Sequence, residues 1–239
     1  MEAWWLSCPA AGAGGDQQPG PVHVVPESES LMAPGLTPYQ LRFCPASYLH
    51  EAHFPLSWRW VQEILSDWRT LPASNYALLD ELVLGIDYEM PVPLGGLALF
   101  PQAELGLVLR RLGAMLHGEA IRHCLQASML RQIIALLGEE GHRTLLSQLD
   151  LLIGPWPAGW QQYLPIQLDG AYLEETGLQF WLAAAGAADP GWARRLVLRL
   201  PPAPKRSSLC LAATQLPLAQ ALCLKIAKQV TPQCCHLLK

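Results

Sequence analysis

The chain has 239 residues, 51% of them apolar and 15% charged, with a formal net charge of −4. That supplies a real core for one large domain, and it argues against a nucleic-acid binder held by bulk charge or a disordered polyanion. The small net value conceals a segregation: residues 1–41 carry four acids and no base, residues 43–189 sixteen acids and seven bases, and no acid follows Asp189.

Residues 10–38 are Gly, Pro, Ser and acid with few large apolar side chains, too little to offset the entropy of ordering. A disordered extension over 1–39 and one domain over 40–239 are therefore expected. The opening MEAWWLSCPAAGAGG has Glu2 where a secretory signal needs positive charge, and its apolar run is short. No stretch approaches the roughly eighteen apolar residues of a membrane span. Seven cysteines without C-x-x-C spacing fit neither a disulfide framework nor a zinc knuckle and suit a reducing cytosol. A cytoplasmic protein is expected.

Beyond Tyr39 the periodicity is helical. Pro55 suits a first turn, and Leu56, Trp60, Val61, Ile64, Leu65 and Trp68 recur at spacings of three and four. They predict a surface helix whose aromatic stripe faces inward. Ser74 is placed to cap a second helix through Leu84, closed by Gly85, and Pro91, Pro93, Gly95 and Gly96 mark a loop. Pro101 opens a central helix with Leu105, Val108, Leu109, Leu112, Met115 and Leu116 on one face. Gly106 and Gly113 near that face would admit a neighbouring helix closely.

Residues 119–137 and 139–152 predict further helices, broken around Gly138 and Gly141, and GPWPAGW at 154–160 forbids regular structure. Leu173, Gly177, Phe180, Trp181 and Ala184 form another helical face, with Glu174 and Glu175 in its first turn. Within 196–213, LVLRL and LCLAA flank PPAPKRSS and read as a short β-hairpin, although runs so short suit helix as well. A last helix carries Leu216, Ala219, Leu222, Cys223, Ile226 and Val230, with Lys225 and Lys228 near its C-terminus and Pro232 as its stop. The fold class is mainly α: one compact multi-helix domain, with Trp60, Trp68 and Trp181 in its core.

The candidate chemistry is thin. Cys234-Cys235-His236 has zinc-ligand types, but adjacent cysteines rarely direct both sulfurs to one ion, and packed thiols are the better reading. His123 and Cys124 are neighbours on a helix and point about a hundred degrees apart, so the imidazole does not activate the thiol. Glu119 and Arg122 beside them read as a polar helix junction. Gly12-Ala13-Gly14-Gly15 lacks the strand, helix and lysine of a phosphate loop. Asp80, Glu81, Asp87 and Glu89 match no calcium loop and form a solvated acidic face or a docking surface for a basic partner.

The basic tail has most physical content. Arg194, Arg195, Arg199, Lys205, Arg206, Lys225, Lys228 and Lys239 follow Asp189 without one acid. They either attract an acidic surface, anionic lipid or nucleic acid, or are neutralised by the acidic front of the same chain. Nucleic acid is the weakest partner, since no aromatic residue follows Trp192. Trp156 and Trp160, in a Pro/Gly-rich loop, are either exposed interface anchors or plugs of the core.

Five segments carry a family resemblance: LRFCPASYLHEAH at 41–53, LHGEAIRHC at 116–124, LLIGPWP at 151–157, QFWLAA at 179–184 and AKQVTPQCCHLLK at 227–239. Together they resemble the K subunit of the type III secretion sorting platform, the SctK (YscK, PscK) family. The resemblance implies a non-enzymatic cytoplasmic adaptor, without cofactor or metal. It would lie between the forkhead-associated-like cytoplasmic domain of the ring protein SctD and the pod protein SctQ, which connects to the stator SctL and the ATPase. Docking surfaces are expected at the basic residues and the loop tryptophans. The alternative is a regulatory or chaperone-like binding module outside secretion, with a small metalloenzyme a distant third.

Overall fold

Pro101 fixes the entry to a fifteen-residue helix, Gln102–Leu116, and everything else is arranged around it. The computed structural model describes residues 35–186, 189–202 and 209–238. Among them it contains α-helices and 3₁₀ turns and no strand. The α-helices are α1 Pro38–Phe43, α2 Pro45–Tyr48, α3 Arg59–Ile64, α4 Pro72–Glu81, α5 Gln102–Leu116 and α6 Gly118–Arg122. They continue with α7 Ala127–Leu137, α8 Glu139–Gln148, α9 Gly170–Ala184, α10 Pro190–Leu198 and α11 Leu216–Val230. The expected disorder of the extension lies outside the described residues. Gly35–Tyr39, assigned to that extension by composition, join the body instead: Leu36 N donates to Leu99 O at 2.8 Å, and Thr37 caps α1.

The six apolar side chains expected on α5 are all 1% exposed or less. They meet α9, whose Leu173, Leu178, Phe180, Trp181 and Ala184 are equally buried. Gly113 and Gly177 set how closely the two helices cross. A Cβ on Gly113 would lie 2.0 Å from Leu173 O, and one on Gly177 2.0 Å from Leu109 O, so the two backbones touch. Gly106, the other expected contact, has only Glu174 Oε1 at 3.5 Å. The Arg110–Glu174 ion pair closes that end of the seam. Helix α11 packs across both, burying Ala219, Leu222, Cys223, Ile226 and Ala227.

Several expectations are corrected. The segment marked as a loop at 91–96 runs into a buried 3₁₀ helix, Leu94–Leu99. Its carbonyls are taken up from outside: Trp181 Nε1 donates to Leu94 O at 3.1 Å and Trp192 Nε1 to Gly95 O at 3.0 Å. That satisfaction is what lets such a glycine-rich turn be buried. The hairpin at 196–213 is absent among the described residues. LVL instead completes α10, which Asp189 caps by accepting from Gly191 N, and 199–202 and 209–212 are irregular. Helix α4 begins at Pro72 with Ser74 buried inside it, and it ends at Glu81 before Val83 turns to φ 50°. Helix α9 begins at Gly170, capped by Asp169, so Glu174 and Glu175 lie beyond its first turn.

A second, smaller apolar cluster gathers Ala46, Leu49, Trp58, Val61, Trp68, Leu78, Leu84 and Leu198. It underlies most of residues 50–89, called the lobe below, and includes Leu198 of α10, whereas Tyr88 of that stretch packs into the main core. Trp58 Nε1 and Ser57 Oγ both donate to the Glu81 carboxylate, tying the turn before α3 to the end of α4. Phe54 meets Trp68 edge to face at 4.8 Å, and Arg69 lies over both rings while donating to Ala46 O.

Candidate interaction surface

The basic tail does not form one surface. Arg195 is fully buried: its guanidinium donates to Leu41 O, Arg42 O and Gly191 O and sits 4.4 Å from the centre of the Tyr88 ring. Arg199, 3% exposed, donates to Ala98 O and Phe100 O and to Gln102 Oε1. Leu41 O and Arg42 O close α1, and Ala98 O closes the 3₁₀ helix Leu94–Leu99, so both cations take up carbonyls at helix C-termini, where the macrodipole is negative. Burial lowers Arg199 to about 10, which still leaves it charged at neutral pH. These two are internal braces, and the expectation of an accessible patch does not extend to them.

Arg194 and Lys228 are exposed. Lys225 reaches across to donate to Leu152 O, fastening α11 to the loop after α8. Lys205 and Arg206 lie outside the described residues. Trp160 is a core plug: 2% exposed and edge to face with Phe180 at 4.9 Å. Trp156 is half-buried against Trp160, with its indole donating to Leu149 O at 2.9 Å. Its outer side borders a depression of about 400 Å³ lined by Glu119, Asp150, Gly154 and Pro155.

Reactive residues are engaged in the fold. His123 Nε2 faces Glu119 Oε2 at 3.6 Å, and Arg122 bridges Glu119 and Asp150. Cys124 Sγ points the other way, toward Gln126 O. Cys235 donates to Thr231 O and His236 Nδ1 to Gln233 O, each within the closing 3₁₀ turn. Burial raises the thiols of Cys223 and Cys234 above the ordinary cysteine range, so they stay protonated. Among the described residues no three His, Cys, Asp or Glu side chains gather as a metal site.

The lobe departs furthest from expectation. Trp60 is 60% exposed, because α3 is only six residues long and turns Trp58 and Val61 inward instead. The stripe from 56 to 68 is not one helix, so its spacing did not stay on one face. Fifteen large apolar side chains are exposed among the described residues, and seven fall in this lobe, including Leu56, Trp60, Ile64, Tyr76, Val83 and Ile86. Residues 50–89 also hold seven carboxylates against two guanidiniums, a net charge of −5. Sequence periodicity concealed this surface, since the same residues read equally well as core.

A family profile described as YOP proteins translocation protein K (YscK) matches residues 35–239. The Yop proteins translocation protein K of Yersinia pseudotuberculosis serotype I is 48% identical over 209 residues, covering 87% of this chain and all of that protein. Its counterpart from Yersinia enterocolitica matches to the same extent. Among solved structures, the cytoplasmic domain of the sorting-platform protein PscK from P. aeruginosa superposes with a TM-score of 0.70 at 45% identity, over 85% of this chain and 99% of that one. Over the whole helical body, then, the chain belongs to the YscK family, the K subunit of the type III secretion sorting platform.

Proposed function

We propose that this protein is a non-catalytic cytoplasmic adaptor of the type III secretion injectisome. It joins the cytoplasmic domain of the SctD ring protein to the SctQ pod protein, and through SctQ to the SctL stator and the ATPase. The observation that carries this reading is the family match, which spans the whole described body from residue 35. The body suits a mechanical link: backbones in contact at Gly113 and Gly177, and buried arginines bracing helix ends, leave little room for internal play. No helix among the described residues is long and apolar enough to cross a membrane. In this reading the adaptor is held at the membrane by contact with a ring protein.

Co-purification of the full chain with each component tests the reading. Binding to both the SctD cytoplasmic domain and SctQ at moderate salt is expected, together with loss of effector export from cells lacking the protein. Failure to bind either component, or unimpaired export, would overturn it.

A further inference from the structure

We propose that the solvent face of the 50–89 lobe is a docking surface for a basic, amphipathic helical segment of a partner protein. This deepens the adaptor reading and rests on it for the existence of a partner. The face has two halves. On one, Trp60 and Ile64 stand one turn apart on α3 and are 60% and 69% exposed, with Glu63 about sixty degrees around the helix from Trp60, and Leu56 of the preceding 3₁₀ turn is 76% exposed. On the other, Tyr76, Asp80 and Val83 share one exposed face of α4 and the turn after it. Glu81 joins the halves through its bonds to Ser57 and Trp58.

Each half thus pairs exposed aromatic or aliphatic groups with carboxylates. An occupant needs apolar side chains at helical spacing, flanked by Lys or Arg that reach the carboxylates. Charge excludes two other occupants. The first 41 residues of this chain carry four acids and no base, and a second copy docking through the same face would set −5 against −5. Of the two cations in the lobe, Arg69 is turned in over Trp68 and Phe54, and Arg59, exposed on α3 four residues before Glu63, is already counted in the net charge of −5. Val83 adds a backbone observation: a β-branched residue held at φ 50° while 75% exposed is kept there by the turn rather than by its own packing.

The test uses the full chain and a fluorescent helical peptide built from Lys and Leu, with a Glu/Leu peptide as its charge control. Saturable binding of the Lys/Leu peptide is expected, weakening as salt is raised, and little binding of the control. The double variant Trp60→Ala/Ile64→Ala removes only side chains that already face solvent, so it should keep its melting temperature while losing at least about tenfold in peptide affinity. Glu63→Lys with Asp80→Lys should lose as much. Unchanged affinity in both variants overturns the proposal. So does a wild-type dimer abolished by Trp60→Ala/Ile64→Ala, or a gain in peptide affinity on Trp4→Ala/Trp5→Ala, which would hand the face to a second copy or to the chain's own front end. Wild-type binding to neither SctD nor SctQ, with peptide binding still dependent on Trp60 and Ile64, would sink the adaptor reading and leave this surface standing.

Discussion

The body around α5 and α9 and the lobe at 50–89 both draw on apolar-rich sequence, yet they place it oppositely. In the body, apolar periodicity and burial coincide, because two fifteen-residue helices have room to keep one face on each other over four turns. In the lobe, α3 has six residues and α4 ten, joined through turns, so a stripe drawn through Leu56, Trp60 and Ile64 meets solvent while Trp58, Val61 and Trp68 turn in. The comparison teaches that spacing predicts burial only where a helix is long enough to hold its phase. What the lobe leaves uncovered is then available to a partner, whereas the facing sides of α5 and α9 are committed to each other.

Breaking the body at its closest approach should have the largest effect. Gly113→Val would drive side-chain atoms into Leu173 O and is expected to destabilise by about 4 kcal/mol, whereas Gly106→Ala gains helix propensity and should be neutral or stabilising by about 0.5 kcal/mol. Urea denaturation of the two variants checks the contrast. Next comes Arg199→Ala, which strands the carbonyls of Ala98 and Phe100 and should cost about 3 kcal/mol in the same assay. Arg194→Ala, at an exposed site beside the buried Arg195, should stay within about 0.5 kcal/mol. Charge reversal at Arg195 or Arg199 would therefore report on folding and not on docking.

Inside the lobe the expected effects are smaller and local. Trp58→Phe removes the indole donor to Glu81 and should cost about 1 kcal/mol. Hydrogen exchange should then quicken across 50–89 while the amides of α5 and α9 keep their protection. The smallest effect is one of pH. Burial lowers the pKa of His53, outweighing the hydrogen bond it donates to Leu200 O, with His50 nearby adding to the depression. The folded lobe thus disfavours the charged ring: the stability His53 lends is present above the ordinary imidazole value of 6.5 and is lost as pH falls through its lowered folded value. Lobe amides should exchange faster, relative to body amides, as pH is lowered across that window, and His53→Gln should remove the difference.

Some of this was legible beforehand and some was not, for reasons that particular residues make plain. The α5 face, the α11 face with its stop at Pro232 and the break at 154–160 were readable, since each rests on local propensity sustained over several turns. The burial of Arg195 and Arg199 was not, because Leu41 O and Arg42 O for the first, and Ala98 O and Phe100 O for the second, are carbonyls more than ninety residues away in sequence. The same holds for the Leu94–Leu99 turn, which composition marks as loop and which only the indoles of Trp181 and Trp192 make tenable inside. Taken by itself, the sequence determined a helical chain with a long apolar pair of helices at its centre, and its odd segments pointed to the YscK family. Only the tertiary structure decided which cations face water and which apolar residues do, because burial of a charge or exposure of an indole depends on groups brought together from far apart along the chain, and no local pattern encodes that meeting.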